Sequence, residues 1–492
     1  MATDLTSNPD CPTGDDDDRL HEECGVFGIY NRQDAASYVT LGLHALQHRG
    51  QEAAGICSYD GMQFHVERHL GLIGDNFTKA SVIERLGGNR AIGHTRYSTT
   101  GGAGLRNVQP LFAEFAGGGF AVAHNGNITN AMTVQRDLQK RGAIFSSTSD
   151  TETILHLIAM SQGPDLLARF NDAVSQLEGA FSLVALSEKK MIGCRDPLGI
   201  RPLVLGDLDG SWILASETCA LDIMGARFVR DIKPGEVVVV TEHGVESHFP
   251  FAPQKPRLCI FEYVYFARPD SNIEGRNVYQ ARRRIGEELA RESPVDADIV
   301  VPVPDSGTPA AIGFAAAANI PFELGIIRNH YVGRTFIQPT DSIRHMGVKL
   351  KHNANRFSLS GRRVVLVDDS IVRGTTSQKI VQMVRDAGAR EVHMRIASPP
   401  TMSPCFYGVD TPEKSKLLAS RMSVAEMADF IRVDSLAFLS IDGLYRAVNQ
   451  PSRDPQCPQF CDACFTGDYP TRLADRDGAG KVRQLSLLAG NG

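Results

Sequence analysis

The sequence predicts two domains of different class, an α+β sandwich followed by an α/β domain with a parallel sheet. The chain has 492 residues, more than one ordinary hydrophobic core accommodates. In its first half, short apolar strands and Gly-rich turns are interrupted by helices near 150–161 and 164–177, which favours sheets covered by helices. Beyond residues 248–258, where three prolines indicate a linker, strands alternate with helices, as is typical of a parallel sheet.

Composition excludes several classes of protein. Hydrophobic residues make up 42% and charged residues 22%, which is ordinary globular usage. A net charge of -6 offers no basic surface for nucleic acid, and the absence of an apolar run of 18 residues argues against a membrane span. Ten cysteines without a secretory signal favour a cytoplasmic protein over a disulfide framework.

Both ends of the chain are polar. Residues 1–23 lack the apolar core of a secretory signal and nearly all the arginine of a transit peptide, so they are either a disordered tail or a removed propeptide. Residues 474–492 are polar and Gly-rich, and we expect a flexible tail there.

The strongest local motif is VVLVDDSIVRGTTS at residues 364–377. An apolar strand ends in two carboxylates, and a Gly/Ser/Thr loop then opens a helix. Loop amides and a helix N-terminus suit a phosphate group, whereas Asp368 and Asp369 can accept hydrogen bonds from two ribose hydroxyls. Because adjacent carboxylates repel each other, a role for both in binding explains them better than stability does.

This segment resembles the binding motif for phosphoribosyl pyrophosphate (PRPP) in type I phosphoribosyltransferases. A second strand and turn, VPVPDSGTPAA at 301–311, is similar to the pyrophosphate loop of that family, although a capped helix start would explain it alone. The resemblance implies a PRPP site built from Ser306, Gly307, Asp368, Asp369, Ser370, Arg373, Gly374, Thr375 and Thr376.

The same family has a flexible loop that closes over PRPP, and the basic segment 328–353 occupies its place. A plain surface loop is the alternative. The candidates for contacts with PRPP in this segment are Tyr331, Arg334 and Thr335. The resemblance also implies one Mg²⁺ per subunit, held by Ser306, Asp368 and Asp369 together with substrate phosphates.

Four motifs of the first half occur in the order found in Ntn-type glutamine amidotransferases: HEECGVFGIY, LHALQHRGQEAAGI, GHTRYSTTG and HNGNI, followed by SDTE. This resemblance implies an αββα sandwich at residues 24–255 and makes Cys24 the nucleophile. Cys24 would become the first residue after cleavage, so that its α-amine, with a pKa of about 7.7–8.0, serves as the base. Without removal of residues 1–23 that amine is an amide.

The resemblance also assigns residues that surround glutamine. Asn125 and the Gly126 amide would form the oxyanion hole. Arg96 would pair with the α-carboxylate of glutamine and Asp150 with its α-ammonium group. For His94 and His124 we favour a structural role over catalysis.

Cys461 and Cys464 form a CxxC motif near the C-terminus, and a redox pair or two core thiols would each explain it. In one branch of the amidophosphoribosyltransferase family, however, cysteines at the positions of Cys259, Cys405, Cys461 and Cys464 bind a [4Fe–4S] cluster, one per subunit. Zinc is the alternative that the spacing favours. Cys457 remains without a role.

Together the two resemblances cover residues 24–473 and point to the amidophosphoribosyltransferase family. The glutaminase motifs alone also fit glucosamine-phosphate synthase, asparagine synthetase or glutamate synthase, and the PRPP motifs alone fit base-salvage transferases or ligand-sensing transcription regulators. A paralog that uses only free ammonia is a further alternative. Family membership implies a phosphoribosyltransferase domain at 256–473, glutamine and PRPP as substrates, AMP and GMP as feedback inhibitors, and a homotetramer or homodimer.

Overall fold

A computed structural model describes residues 21–22, 24–97, 104–329 and 352–477 of the chain. The first half contains two antiparallel sheets. The seven-stranded sheet has the order β12-β10-β11-β2-β5-β3-β4, and the six-stranded sheet has the order β14-β13-β9-β8-β7-β6. The strands, numbered along the chain, are β1 His21–Glu22, β2 Cys24–Tyr30, β3 Ala53–Tyr59, β4 Phe64–Leu70, β5 Arg90–Arg96, β6 Leu111–Phe115, β7 Gly118–Ile128, β8 Gly179–Ser187, β9 Met191–Arg195, β10 Val204–Leu208, β11 Ser211–Ala215, β12 Arg227–Asp231, β13 Val237–Thr241 and β14 Gly244–His248.

The two sheets stack face to face and helices cover their outer faces. Val26 and Ile92 of one sheet pack with Ala123 and Val184 of the other in the central apolar layer. Because both faces of each sheet are covered, strands such as β2 and β8 are buried along their whole length. The αββα arrangement implied by the resemblance is therefore confirmed. The helices of this half are Ala35–Ala45, Ile73–Asn76, Ala80–Ile83, Ala131–Lys140, Glu152–Met160, Leu166–Val174 and Cys219–Asp222.

The second half is built on a parallel sheet of four strands in the order β18-β21-β22-β24. Its strands are β15 Leu258–Cys259, β16 Asn272–Ile273, β17 Arg276–Asn277, β18 Ile299–Pro302, β19 Ile326–Arg328, β20 His352–Ala354, β21 Arg363–Asp368, β22 Glu391–Ile396, β23 Val409–Asp410, β24 Ser435–Phe438 and β25 Phe460–Cys461. Its helices are Val278–Glu292, Thr308–Ala318, Arg356–Leu359, Thr375–Asp386, Val424–Ile431, Ile441–Ala447, Ala463–Thr466 and Ala474–Asp477, and a π-helical turn spans Glu262–Phe266.

Two glycines allow the first two long helices of this domain to pack in close contact. A Cβ atom added to Gly286 would overlap the carbonyl oxygen of Ala310, and one added to Gly313 would overlap that of Arg283. The predicted small-residue helix near 308–318 is confirmed. Its small side chains allow the two helices to approach each other closely. In the described part of the chain, no helix is long and apolar enough to cross a membrane.

The ends of the chain differ from the expectation. We expected a flexible tail at 474–492, but Ala474–Asp477 form a helical turn whose Asp475 accepts hydrogen bonds from the amides of Met132 and Thr133. The ordered part of the chain therefore extends to residue 477, four residues into the expected tail. Residues 478–492 lie outside the described residues. At the other end, the backbone of His21–Glu22 pairs with Val409–Asp410 of the second domain.

Candidate active sites and a cysteine pocket

The first candidate site lies where β2 begins. Cys24 is the first residue of β2, is 8% exposed, and pairs in register with Arg96 at the end of β5. Arg96 is buried as well and also pairs in register with Ala53 of β3. The predicted nucleophile and the predicted carboxylate-binding arginine therefore lie side by side on adjacent strands.

Asn125 and Gly126 lie on β7, in the facing sheet, and β7 packs against β2. The Asn125 side chain has no solvent exposure, yet neither its nitrogen nor its oxygen finds a hydrogen-bond partner among the described residues. An unpaired buried amide costs about 1–3 kcal/mol, so a ligand that completes its hydrogen bonds is the natural explanation. Gly126 has φ +137° and a Cβ there would overlap the carbonyl oxygen of Ala180, so only glycine fits.

Asp150 lies beside the same strand. One of its oxygens accepts a hydrogen bond of 3.0 Å from the Ile128 amide and lies 3.7 Å from Nδ1 of His124. Burial alone would raise the pKa of Asp150, but His124 and the hydrogen bonds together lower it below its usual value. Asp150 is thus a carboxylate at neutral pH, which suits binding of an ammonium group.

His94 and His124 are buried within the sandwich. Burial and the charge of Arg96 lower the pKa of His94 to about 3, so this imidazole is neutral. Its Nε2 lies 3.1 Å from the backbone oxygen of His124. These contacts, of His94 with the His124 backbone and of His124 with Asp150, agree with the structural role that we favoured for both histidines.

The second candidate site lies at the carboxyl end of β21, where α/β sheets generally bind ligands. Asp368 ends the strand, Asp369 follows it, and both are nearly buried. Gly374, with φ +82°, turns the chain into the helix Thr375–Asp386, whose amides face the loop. A pocket of about 250 Å³ lies here and is lined by Asp368, Asp369, Ser370, Ile371, Val372, Thr376 and Ser377.

The second loop joins this pocket. The hydroxyl of Ser306 donates a hydrogen bond of 2.5 Å to Asp369, and a Cβ on Gly307 would overlap the carbonyl oxygen of Val367. Ser370 donates to the other oxygen of Asp369 at 2.7 Å. The structure therefore brings the two PRPP loops together. Ser377 lines the pocket but was missed, although it belongs to the same GTTS run.

Not every predicted residue can be placed at this pocket. Thr375 is exposed at the start of its helix, and Arg373 and Thr375 do not line the cavity. Tyr331, Arg334 and Thr335 lie in 330–351, outside the described residues.

A third feature is an apolar cavity of about 360 Å³ lined by all four predicted cluster cysteines, with Phe261, Tyr407, Val409, Thr411 and Ala463 completing its wall. The parallel pair β15–β25 places Cys259 opposite Cys461. Burial raises the pKa of Cys259 to about 12 and also raises the pKa values of Cys461 and Cys464. None of the described cysteines forms a disulfide.

The described residues contain no set of three or more His, Cys, Asp or Glu side chains close enough to hold a single metal ion. Cys457 lies outside this wall, where Lys255 donates a hydrogen bond of 2.9 Å to its sulfur.

Asp462 holds the CxxC loop in place and was missed in the sequence. Its side chain is fully buried and accepts hydrogen bonds from Tyr445 at 2.8 Å, Arg453 at 2.6 Å and Thr466 at 2.9 Å. A single aspartate inside a CxxC motif carries no sequence signal for such a role, because its partners are scattered along the C-terminal segment.

Comparison with known proteins matches both domains. The model of the glutamine amidotransferase domain matches residues 94–222, and that of the phosphoribosyl transferase domain matches residues 271–397. Amidophosphoribosyltransferase from Rhizobium etli is 61% identical over 489 residues, which cover 98% of this chain and 99% of that protein. Amidophosphoribosyltransferase from Bacillus subtilis is 48% identical over 455 residues, which cover 92% and 95%.

A solved structure supports the same relationship. Glutamine PRPP amidotransferase from B. subtilis, complexed with ADP and GMP, superimposes with a TM-score of 0.87 at 46% identity. The match covers 92% of this chain and 98% of that one.

We predict that Asp462→Ala lowers the free energy of unfolding of the C-terminal domain by about 3 kcal/mol, because the change leaves Arg453 and Tyr445 without their buried partner. Chemical unfolding followed by circular dichroism measures this loss. Asp468→Ala is the matched control: Asp468 pairs with the same Arg453 but is 44% exposed, so its removal should cost less than about 1 kcal/mol. Equal losses for the two variants would contradict the assignment.

Proposed function

The chain belongs to the amidophosphoribosyltransferase family, and we propose that its two domains divide the glutamine-dependent amination of PRPP between them. This reaction converts glutamine, PRPP and water into 5-phosphoribosylamine, glutamate and pyrophosphate, and it is the first step of purine biosynthesis. The observation that carries the division is the presence of two separate sites in one chain, one at Cys24 and one at Asp368 and Asp369.

In the first domain, Cys24 attacks the side-chain amide carbon of glutamine. Its own α-amine, freed by removal of residues 1–23, takes the thiol proton. The negative charge that develops on the amide oxygen receives hydrogen bonds from Asn125 and from the Gly126 amide, and the orphaned Asn125 side chain supports this role. Ammonia leaves, and water then hydrolyses the thioester to glutamate.

Two charged residues orient glutamine for this attack. Arg96, opposite Cys24 in the sheet, binds the α-carboxylate, and the ionised Asp150 binds the α-ammonium group. Because these contacts are the same in the ground state and in the transition state, their removal should raise KM more than it lowers kcat.

In the second domain, Asp368 and Asp369 accept hydrogen bonds from the ribose diol, and ammonia attacks ribose C1 as pyrophosphate departs. The 5′-phosphate is held by the loop and helix N-terminus, where Ser370 and Thr376 line the pocket. Arg373, Gly374 and Thr375 belong to the same loop and are assigned to the phosphate by the family resemblance alone. Ser306 and Gly307 hold pyrophosphate. Tyr331, Arg334 and Thr335, which lie outside the described residues, are the further contacts with PRPP that the family resemblance implies.

PRPP transferases generally use Mg²⁺, and the oxygens around Asp369 fit such an ion. Ser306 and Ser370 donate to the two carboxylate oxygens of Asp369, so four oxygens already lie together there. We assign one Mg²⁺ per subunit to Ser306, Asp368 and Asp369, with substrate phosphates and water supplying the remaining ligands. When bound there, Mg²⁺ would supply positive charge that stabilises the departing pyrophosphate.

The cysteine pocket fits a [4Fe–4S] cluster better than a single zinc ion. Zinc requires four ligands that converge at about 2.0–2.3 Å from one point. The thiols of Cys259, Cys405, Cys461 and Cys464 line one cavity and would be the four thiolate ligands of such a cluster, as the family resemblance implies. The reaction needs no electron, so a cluster here, one per subunit, would stabilise the junction of β15 with the C-terminal segment.

The remaining proposals follow from family membership. Residues 1–23 are a propeptide, the glutaminase domain spans 24–255, and the phosphoribosyltransferase domain spans 256–473. The enzyme acts in the cytoplasm as a homotetramer or homodimer. Purine nucleotides, AMP and GMP among them, inhibit it, and the nucleotides bound in the B. subtilis structure support this expectation.

We predict that the native enzyme starts at Cys24, because an acylated amine cannot accept the thiol proton. Intact-mass analysis of active protein should show loss of residues 1–23. Any unprocessed fraction should still use added ammonia, which bypasses Cys24. A fraction that retains residues 1–23 and uses glutamine at the full rate would contradict this mechanism.

We predict complementary losses at the two sites. Cys24→Ala should lower glutamine-dependent synthesis by at least roughly three orders of magnitude and spare ammonia-dependent synthesis. The double change Asp368→Asn with Asp369→Asn should abolish both, because ribose and metal ligands are lost. Asp386→Asn serves as the control and should retain both activities, because Asp386 is an exposed acid at the far end of the helix that follows the Asp368–Asp369 loop. Unchanged PRPP binding by the double variant, measured by calorimetry, would refute the ribose site.

We predict that anaerobically purified protein is brown and contains about four iron and four acid-labile sulfide ions per chain. Cys464→Ser should remove the colour and lower the melting temperature. Cys457→Ser is the control, since Cys457 lies outside the cavity wall. A colourless active enzyme with one zinc per chain would establish the zinc alternative, and a metal-free active enzyme would exclude both.

A further inference from the structure

The end of β7, which carries Asn125 and Gly126, is held from outside its own domain. The side-chain amide of Asn127 donates a hydrogen bond of 2.9 Å to the backbone oxygen of Phe406. Gly408 lies directly against Gly126, since a Cβ atom added to Gly408 would come within 2.9 Å of the Gly126 Cα. Gly126, which belongs to the proposed oxyanion pair, and Asn127, which follows it, therefore both contact one short loop of the second domain.

A second segment of that domain continues the contact. The Thr129 hydroxyl donates to the backbone oxygen of Arg472 at 3.2 Å. Asp475 accepts hydrogen bonds from the amides of Met132 at 2.7 Å and Thr133 at 2.9 Å, where the next helix starts. We call residues 405–408 and 471–477 the C-terminal clamp.

The two parts of the clamp are joined to each other. The guanidinium group of Arg476 lies 4.0 Å above the ring of Phe406, and the hydroxyl of Tyr407 lies 3.0 Å from that of Thr471. Cys405, at the start of the clamp, lines the cysteine cavity. Residues 125–133 are thus restrained along their length by one connected surface that begins at this cavity.

The strand end needs such a restraint. Gly126, and Gly179 opposite Ile128 on β8, both have positive φ, at +137° and +120°, and neither has a side chain that could hold the backbone in place. An oxyanion donor acts only when it lies within hydrogen-bond distance of the developing charge, so a small displacement costs rate. Within the first domain, β7 pairs with β8 as far as Ile128, the Thr129 amide donates to the backbone oxygen of Glu178, and Asp150 accepts from the Ile128 amide, so the clamp adds interdomain contacts to this ladder.

We propose that the C-terminal clamp positions the oxyanion hole, which makes Asn127, Gly408 and Asp475 positioning residues of the glutaminase step. This inference rests on the proposed role of Asn125 and Gly126. It makes the glutamine site dependent on contacts supplied by the phosphoribosyltransferase domain, whereas the PRPP site does not depend on them.

Asn127→Ala tests the proposal. Glutamine-dependent kcat should fall about tenfold, less than the roughly hundredfold loss typical of removing a donor outright, because the donor is displaced and not deleted. KM for glutamine and the rate with added ammonia should stay within about twofold, because Arg96, Asp150 and the PRPP site are untouched. Asp475→Ala should lower the same kcat by a smaller factor, and it keeps the test valid if Asn127→Ala fails to fold.

Asn76→Ala is the control. Its side-chain amide also donates a hydrogen bond of 2.9 Å to a backbone oxygen, that of Leu70, but it lies inside the first domain and outside residues 125–133, so kcat should not change. An equal loss of both activities in Asn127→Ala, a change in KM alone, or an unchanged kcat would each overturn the proposal. The Cys24→Ala assay distinguishes a failure of this inference from a failure of the proposed function, because full glutamine use by that variant would refute the proposed function itself.

Discussion

A single buried carboxylate fixes how the two domains meet. Glu262, in the second domain, accepts hydrogen bonds from Arg49 at 2.7 Å and from Arg201 at 3.2 Å, both in the first domain. None of the three side chains is exposed to solvent. Burying such charges is costly, and the cost is offset only when the geometry is well defined, so the group tolerates few relative orientations of the domains.

The proposed glutamine site and the C-terminal clamp both depend on that orientation. A Cβ atom added to Gly50, which follows Arg49, would lie 2.6 Å from the Arg96 amide, so the ion pair is coupled directly to the glutamine site. Arg201 also donates to the backbone oxygen of Tyr407, within the C-terminal clamp. A rotation of the domains would therefore disturb β2, which carries the proposed nucleophile, and β7, which carries the proposed oxyanion donors. The proposed glutaminase site thus depends on the interface as well as on the first domain.

The sequence was informative where the residues of a candidate site lie in one continuous segment. Asp368 and Asp369 could be placed at a strand end because an apolar run and a Gly-rich loop flank them, and the structure adds their contact with Ser306. Pairings between distant segments could not be foreseen. The hydrogen bond from Asn127 to Phe406 joins residues 279 apart, and neither residue type is unusual in its local setting. The end of the chain was misjudged for the same reason: polar composition indicates exposure but not docking.

The pairing of β15 with β25 also bears on the order in which the protein is made. Cys259 emerges from the ribosome about 200 residues before Cys461 and Cys464, because synthesis runs from the N-terminus. The first domain and most of the parallel sheet can fold during that interval, whereas the cysteine cavity lacks two of its walls until the C-terminal segment arrives. The nascent chain consequently carries Cys259 and Cys405 without the C-terminal residues that line the cavity with them in the folded protein. The cavity can therefore be completed only after nearly the whole chain has been synthesised.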